Sequence, residues 1–100
     1  MRASYQMHLH LEPFEQIAAG KKTVEVRLND EKRQQLKVGD RVEFVSREDS
    51  VQKIPVEITA LEPAPTFRDL GMSDYEKMYQ YYSRDDEAKY GVLAISFKPG

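Results

Sequence analysis

The side chains best suited to bind a ligand are two cations and a carboxylate within six residues, namely Lys22, Glu25 and Arg27. An arginine presents a planar fork to a phosphate or to the edge of a base, and a lysine supplies a point charge. A carboxylate accepts hydrogen bonds from an exocyclic amine, as it does from cytosine N4. The three residues by themselves leave two interpretations open: ion pairs on the solvated face of a strand, or a site for a nucleotide.

A helix and the strand after it must position these side chains. Pro13 suits the first turn of a helix that runs to Ala19, and Gly20 suits the position just after the helix. The strand is predicted over residues 22–28. Its alternation places Thr23, Glu25 and Arg27 on one face, opposite an apolar face formed by Val24, Val26 and Leu28.

The rest of the chain alternates between short strands and short helical segments. Further strands are predicted over residues 5–11, 41–45, 54–60 and 92–97, and helical segments over 31–36, 67–70, 74–82 and from 83. Pro55 indicates an edge position or a strand entrance, and Gly39-Asp40 a tight turn. About five to six strands with short flanking helices predict an α+β fold, in which a barrel-like sheet avoids exposed edges.

Composition limits the function classes. One hundred residues predict a single domain, 1–100, and the lack of cysteine excludes disulfides and thiolate chemistry. A net charge of −2 argues against a duplex binder, but residues 20–47 carry a local excess of +3 and residues 48–100 a local −4. With no long apolar run and no signal-peptide pattern at the N-terminus, we expect a cytoplasmic monomer without a membrane partner.

The spacing Gly20-x-Lys22-x-x-Glu25-x-Arg27, followed by Lys37-x-Gly39-Asp40, resembles the ASCH domain. That family belongs to the PUA-like superfamily of small β-barrels, and the resemblance extends over essentially the whole chain. It implies a PUA-like mixed barrel with a cleft between barrel and helices. It also implies that single-stranded RNA, or a nucleoside or nucleotide, binds in that cleft, with a protein partner as the alternative and no cofactor.

The residues that the resemblance assigns to the ligand lie in two segments. Tyr82 and Ser83 are included because they end a helix that borders the cleft in the family. The full set is Lys21, Lys22, Thr23, Glu25, Arg27, Tyr82 and Ser83.

One branch of the family, also similar to this chain, consists of small amidohydrolases that deacylate N4-acetylcytidine. Their nucleophile is a threonine at the position that Glu25 occupies here, whereas Thr23 lies two residues earlier. Catalysis by this chain would instead need Glu25 as general base for water and Lys22 as the group that stabilises the oxyanion. The branch also has a later glutamate, for which Glu76 and Glu87 both remain candidates.

Histidines and tyrosines offer two further patterns. His8 and His10 share a strand face, but no third ligand follows at a fixed spacing, so no metal site is predicted. Tyr75, Tyr79 and Tyr82 fall on one helical stripe, which either packs the helix onto the barrel or stacks on bases. Tyr81 is predicted to face elsewhere, and of the stripe Tyr82 is the better candidate for ligand contact.

Overall fold

The computed structural model describes residues 4–100. These contain two α-helices, α1 (Leu11–Ala18) and α2 (Arg84–Tyr90), and three short 3₁₀ segments, Arg33–Gln35, Arg68–Leu70 and Tyr75–Gln80. The five strands are β1 (Ser4–Leu9), β2 (Val24–Leu28), β3 (Arg41–Ser46), β4 (Lys53–Ala64) and β5 (Val92–Pro99). No helix of residues 4–100 is long and apolar enough to cross a membrane.

The five strands form one mixed sheet in the order β1-β3-β4-β5-β2, curved into a half-barrel. The β1–β3 pair is parallel, and the other three pairs are antiparallel. The α+β, PUA-like architecture predicted from the sequence is therefore confirmed. Within the described residues β1 and β2 are the two edges of this sheet, and we call the gap between them the seam.

The concave side of the half-barrel encloses the hydrophobic core. Phe44 and Phe97 pack edge to face there, with ring centroids 5.1 Å apart. Helix α1 contributes Phe14 and Ile17, its two buried residues, to the same cluster. Because α1 packs onto the core directly before β2, the position of β2 follows from the end of this helix.

Gly20 produces that end. Its φ of +75° is a left-handed conformation that residues with a Cβ adopt only at a cost. The Gly20 N–H donates to the carbonyl of Ile17 and the Lys21 N–H to that of Gln16, the Schellman pattern. The prediction of a helix end just before Gly20 is confirmed.

Several predicted boundaries are wrong, because tertiary pairing extends or shortens elements whose local signals are weak. The first strand ends at Leu9, and Leu11 begins α1 instead of continuing the alternation. Strand β4 continues to Ala64, through Pro63, since β5 pairs with it along that length. Helices were expected over residues 31–36 and 74–82, but these ranges contain the shorter 3₁₀ segments Arg33–Gln35 and Tyr75–Gln80 instead.

Candidate functional site

A cleft of about 500 Å³ lies where the end of β1, the start of α1, β2 and the Tyr75–Gln80 segment meet. A second crevice, of about 220 Å³, is less than half this size. The lining of the cleft combines cations, histidines and aromatic rings: Lys22, Arg27, Arg47, His8, His10, Tyr81 and Tyr82, together with Glu25. The cleft therefore holds the three charged residues that the sequence singled out, but also several that it did not.

Glu25 lies between the two predicted cations. Lys22 Nζ is 2.8 Å from one carboxylate oxygen of Glu25, and Arg27 Nε is 2.9 Å from the other. The Glu25 side chain is only 8% exposed. A buried carboxylate needs such partners, because an unpaired charge out of water is costly. Lys22, Glu25 and Arg27 are thus one ion-pair network, which we call the triad.

Arg27 also joins the two edges of the sheet. Its Nη2 donates to the main-chain carbonyl of His8 on β1, at 2.9 Å. One guanidinium therefore contacts the carboxylate on its own strand and the backbone across the seam. Two of its donor nitrogens are used within the protein, which limits what the residue can offer a ligand.

The orientation of β2 differs from the prediction in one respect. Glu25 is buried at 6% exposure, whereas Val24, on the face expected to be apolar and covered, is 39% exposed. The alternation itself holds, since Glu25 and Arg27 both point into the cleft. Glu25 can be buried although it is charged, because its two cationic partners in the triad neutralise the carboxylate within the cleft.

Arg47 is a cleft residue that was not among the predicted ligand residues. It follows β3 directly, and its N–H donates to the carbonyl of Leu9 at 2.9 Å. This bond continues the parallel pairing in which Leu9 is opposite Ser46. No local signal could have located Arg47 in the cleft, because its position depends on β1 and β3 pairing across a long stretch of sequence.

The two neighbouring tyrosines have different surroundings. Tyr82 stacks on the buried ring of Phe67, with centroids 5.7 Å apart and planes inclined by 29°. Burial raises the pKa of the Tyr82 phenol above its usual value; the charge of Glu25 adds to this rise and that of Arg27 opposes it. Tyr81 is 62% exposed, and its ring centroid is 5.8 Å from that of His10. The ligand candidate Tyr82 therefore lines the cleft, and so does Tyr81.

Three predicted ligand residues lie outside the lining of this cleft. Ser83 Oγ accepts the Asp86 N–H at 3.0 Å and so caps α2. Thr23 borders a second, mostly apolar crevice of about 220 Å³. Lys21 is exposed and lines neither pocket. Of the seven predicted ligand residues, the cleft brings together Lys22, Glu25, Arg27 and Tyr82.

Neither of the two later glutamates lines the cleft. Glu87 is buried, accepts the Phe67 N–H at 2.8 Å and accepts the Tyr79 hydroxyl at 2.9 Å. Burial and this hydrogen bond raise the pKa of Tyr79 above its usual value. Glu87 thus holds the ring of Phe67 on which Tyr82 stacks, whereas Glu76 is exposed.

Metal ligands are absent as a group. Among residues 4–100, no three His, Cys, Asp or Glu side chains are arranged to hold a metal ion. His8 and His10 both line the cleft, and His10 faces Tyr81. The chemistry available in the cleft is therefore that of cations, a paired carboxylate, imidazoles and phenol rings.

Comparison with known proteins identifies one family and several solved structures with a similar fold. The model of the ASCH domain matches residues 7–100. The crystal structure of hypothetical protein PH0355 is 30% identical, with a TM-score of 0.80 over 97% of this chain and 99% of that one. The solution structure of protein PF0455 from Pyrococcus furiosus is 29% identical, with a TM-score of 0.68 over 96% of each chain.

A more distant likeness supports the fold alone. The crystal structure of a mutant of ZmASCH from Zymomonas mobilis is 19% identical, with a TM-score of 0.66 over 97% of this chain and 68% of that one. No curated protein matches the chain.

Proposed function

The chain belongs to the ASCH domain family, and from this premise we propose that its cleft binds single-stranded RNA or a nucleotide derived from it. Members of the family are generally RNA-binding or hydrolase-like. The observation that carries the proposal is the lining of the cleft, which combines three cations with exposed aromatic rings. Cations suit phosphates and aromatic rings suit bases, and proteins that bind single-stranded nucleic acid use both.

Charge and size support a small anionic ligand. Lys22, Arg27 and Arg47 outnumber Glu25 in the cleft, so its formal charge is +2 in a protein of net charge −2. A volume of about 500 Å³ lies in the range of small-molecule sites. Such a cleft can take one or two nucleotides, whereas a duplex would need a surface of far greater extent.

Arg47 is the best candidate for the phosphate contact. Lys22 and Arg27 both engage Glu25, and Arg27 also bonds the backbone of β1. Arg47 is exposed, and no ion pair involves it among residues 4–100. Its guanidinium therefore retains the donors that a phosphate can accept, without breaking a contact within the protein.

The geometry gives less support to deacylation of an N4-acylated cytidine. A general base must have a lone pair directed at the attacking water. Both carboxylate oxygens of Glu25 are within 2.9 Å of a cation, and Thr23 lies outside the cleft. Binding needs no rearrangement of the triad, whereas hydrolysis would need Glu25 to leave one of its partners.

The test replaces Arg47 and follows nucleotide binding. We expect Arg47→Gln to weaken binding of uridine 5′-monophosphate by about 1.5–3 kcal/mol, the usual range for a hydrogen bond to a charged group. Arg41→Gln is the matched control, because Arg41 is also exposed and lies about 20 Å away at the other end of β3. Dissociation constants come from NMR titration of the protein with the nucleotide.

Two results would contradict the proposal. One is equal affinity of the Arg47→Gln and Arg41→Gln variants, which would show that Arg47 does not contact the phosphate. The other is a lack of shifts at Lys22, Arg27 and Tyr82 with millimolar nucleotides and short single-stranded RNAs, which would favour a protein partner. Incubation with N4-acetylcytidine in the same experiment reports hydrolysis directly, through the release of acetate.

A further inference from the structure

Resting on the proposed function, we propose that His10 and Tyr81 form a clamp that sandwiches a single unpaired nucleobase at the mouth of the cleft. The two rings come from different segments, one before α1 and one after the Tyr75–Gln80 segment, and their centroids are 5.8 Å apart with planes inclined by 32°. The base enters between them, and its phosphate binds Arg47, which lines the same cleft. The ligand class is thus a mononucleotide or the unstacked terminal nucleotide of a single strand.

The backbone holds both members of the clamp in place. His10 is the residue before α1, and its carbonyl accepts the Phe14 N–H at 3.1 Å in the first turn of the helix. Tyr81 follows the Tyr75–Gln80 segment, and its N–H donates to the Met78 carbonyl at 3.1 Å. Each ring therefore extends from a fixed main chain, and only side-chain rotation is needed to change the space between them.

The packing of the core does not explain why a tyrosine is present at position 81. A tyrosine ring contributes to stability through the area it buries, and Tyr81 leaves 62% of its surface exposed. Its neighbour Tyr82 stacks on Phe67 and supplies the packing for this segment. A large ring left in solvent beside three cations is the arrangement by which proteins stack single-stranded bases.

The spacing of the rings is close to that of a loaded clamp. A base sandwiched between two parallel rings needs about 7 Å between them, twice the contact distance of about 3.5 Å between carbon atoms. The inclined rings of His10 and Tyr81 are 5.8 Å apart. A base would therefore need the two rings to rotate toward parallel planes and their separation to increase by roughly 1 Å.

Two ligands that differ only by the base test the clamp. Adenosine 5′-monophosphate has a base, a ribose and a phosphate, whereas ribose 5-phosphate lacks only the base. We expect Tyr81→Ala to weaken the nucleotide roughly 5- to 150-fold, the fold-change that corresponds to the range for loss of one stacked base. Binding of ribose 5-phosphate should not change. Tyr81→Phe keeps the ring and should keep the affinity, and His10→Ala should resemble Tyr81→Ala.

A spectroscopic signature distinguishes stacking from a change in the shape of the cleft. A base between two rings shifts the adenine H2 and H8 resonances upfield, and these shifts should vanish in Tyr81→Ala and persist in Tyr81→Phe. A short single strand, such as an adenosine tetranucleotide, shows whether the same base site takes a chain end. If the tetranucleotide binds more tightly than adenosine 5′-monophosphate, the ligand is the terminal nucleotide of a single strand. If the two bind equally, the ligand is the mononucleotide.

The outcomes separate the clamp from the function on which it rests. If the nucleotide and ribose 5-phosphate bind equally, and Tyr81→Ala changes neither, the clamp is wrong but a phosphate site in the cleft remains. If neither ligand binds at millimolar concentration and RNA also fails, both the clamp and the proposed function are wrong. Loss of nucleotide affinity in Tyr81→Phe as well would assign the effect to the hydroxyl and overturn the stacking proposal.

Discussion

At the scale of single residues, the triad is both a buried ion-pair network and part of the lining of the cleft. Glu25 is buried and is tolerated because two cations pair with it. Arg27 is the most connected of the three, since it bonds Glu25 and the carbonyl of His8. The motif that predicts a binding site from the sequence is therefore also the part of the structure that holds the two sheet edges together.

Removal of Arg27 should consequently lower stability. In Arg27→Ala we expect the free energy of unfolding to fall by about 2–4 kcal/mol, because Glu25 stays buried with one partner fewer. Arg27→Lys should lower the free energy of unfolding by less, since lysine keeps the positive charge. It should still lower it, because lysine cannot bond Glu25 and His8 with a planar fork. Urea unfolding at pH 7 measures both variants.

The control for this prediction is an exposed ion pair. Lys53 is 3.8 Å from Glu43 and 45% exposed, so Lys53→Ala should cost at most about 1 kcal/mol. Equal losses in Arg27→Ala and Lys53→Ala would show that the triad contributes no more than a surface pair.

At the scale of elements, the junction between α2 and β5 fixes the wall that carries the aromatic rings. Gly91 lies at this junction with φ +71° and ψ −168°, a region that only glycine occupies readily. A Cβ at this position would be 2.9 Å from the carbonyl oxygen of Ala64. Gly91 also accepts the Asn29 N–H at 3.0 Å, so α2, β4 and the end of β2 meet there.

Two glycines allow a matched test of this junction. Gly20 also has a positive φ, of +75°, but a Cβ there would meet no atom within 4 Å. We expect Gly20→Ala to cost roughly 1–2 kcal/mol from backbone strain alone. Gly91→Ala should cost roughly 3 kcal/mol or more, because the steric overlap adds to the strain. Thermal and urea unfolding compare the two; equal losses would show that the backbone at Ala64 moves away freely.

The same elements show how far the sequence could predict the fold and the site. The end of α1 was predictable because Pro13 and Gly20 act locally, and the triad because its spacing matches a family motif. Arg47 was not, since its place beside Leu9 depends on strands that are far apart in the sequence. Tyr81 was missed because residues 75–80 form a 3₁₀ segment, in which the helical stripe assumed for the tyrosines does not apply.

At the scale of the whole molecule, the lining of the cleft is positive in a protein whose net charge is negative. The chain has a net charge of −2, and residues 48–100 carry a local −4. The cations of the cleft come from β2, from the segment just before it and from the residue after β3. Because the cleft has a formal charge of +2 and the whole protein a net charge of −2, the rest of the chain is net negative, and ligand contacts outside the cleft should remain few.

A weak dependence on salt and on ligand length follows. Each phosphate contact with a single strand contributes about −0.7 to the slope of log K against log salt, so one or two contacts predict a slope between about −0.7 and −1.4. The affinity for uridine oligomers should level off after roughly two nucleotides, the length that the cleft can hold. Titrations of oligomers at several salt concentrations measure both quantities.

The Arg47→Gln variant is the internal reference for the salt experiment. It should reduce the magnitude of the slope by about 0.7, the contribution of one contact. A slope steeper than about −3, with affinity still rising at longer lengths, would indicate a phosphate track beyond the cleft.

The seam gives the half-barrel an uneven mechanical stiffness. Neighbouring strands elsewhere in the sheet are held at about 4.8 Å by backbone ladders, which set their spacing. Across the seam the described contact is the hydrogen bond from the long side chain of Arg27 to the carbonyl of His8. The width there can thus change by rotation of one side chain, with every backbone ladder intact. We therefore expect the elastic compliance of the sheet to be greatest at the cleft, beside the triad.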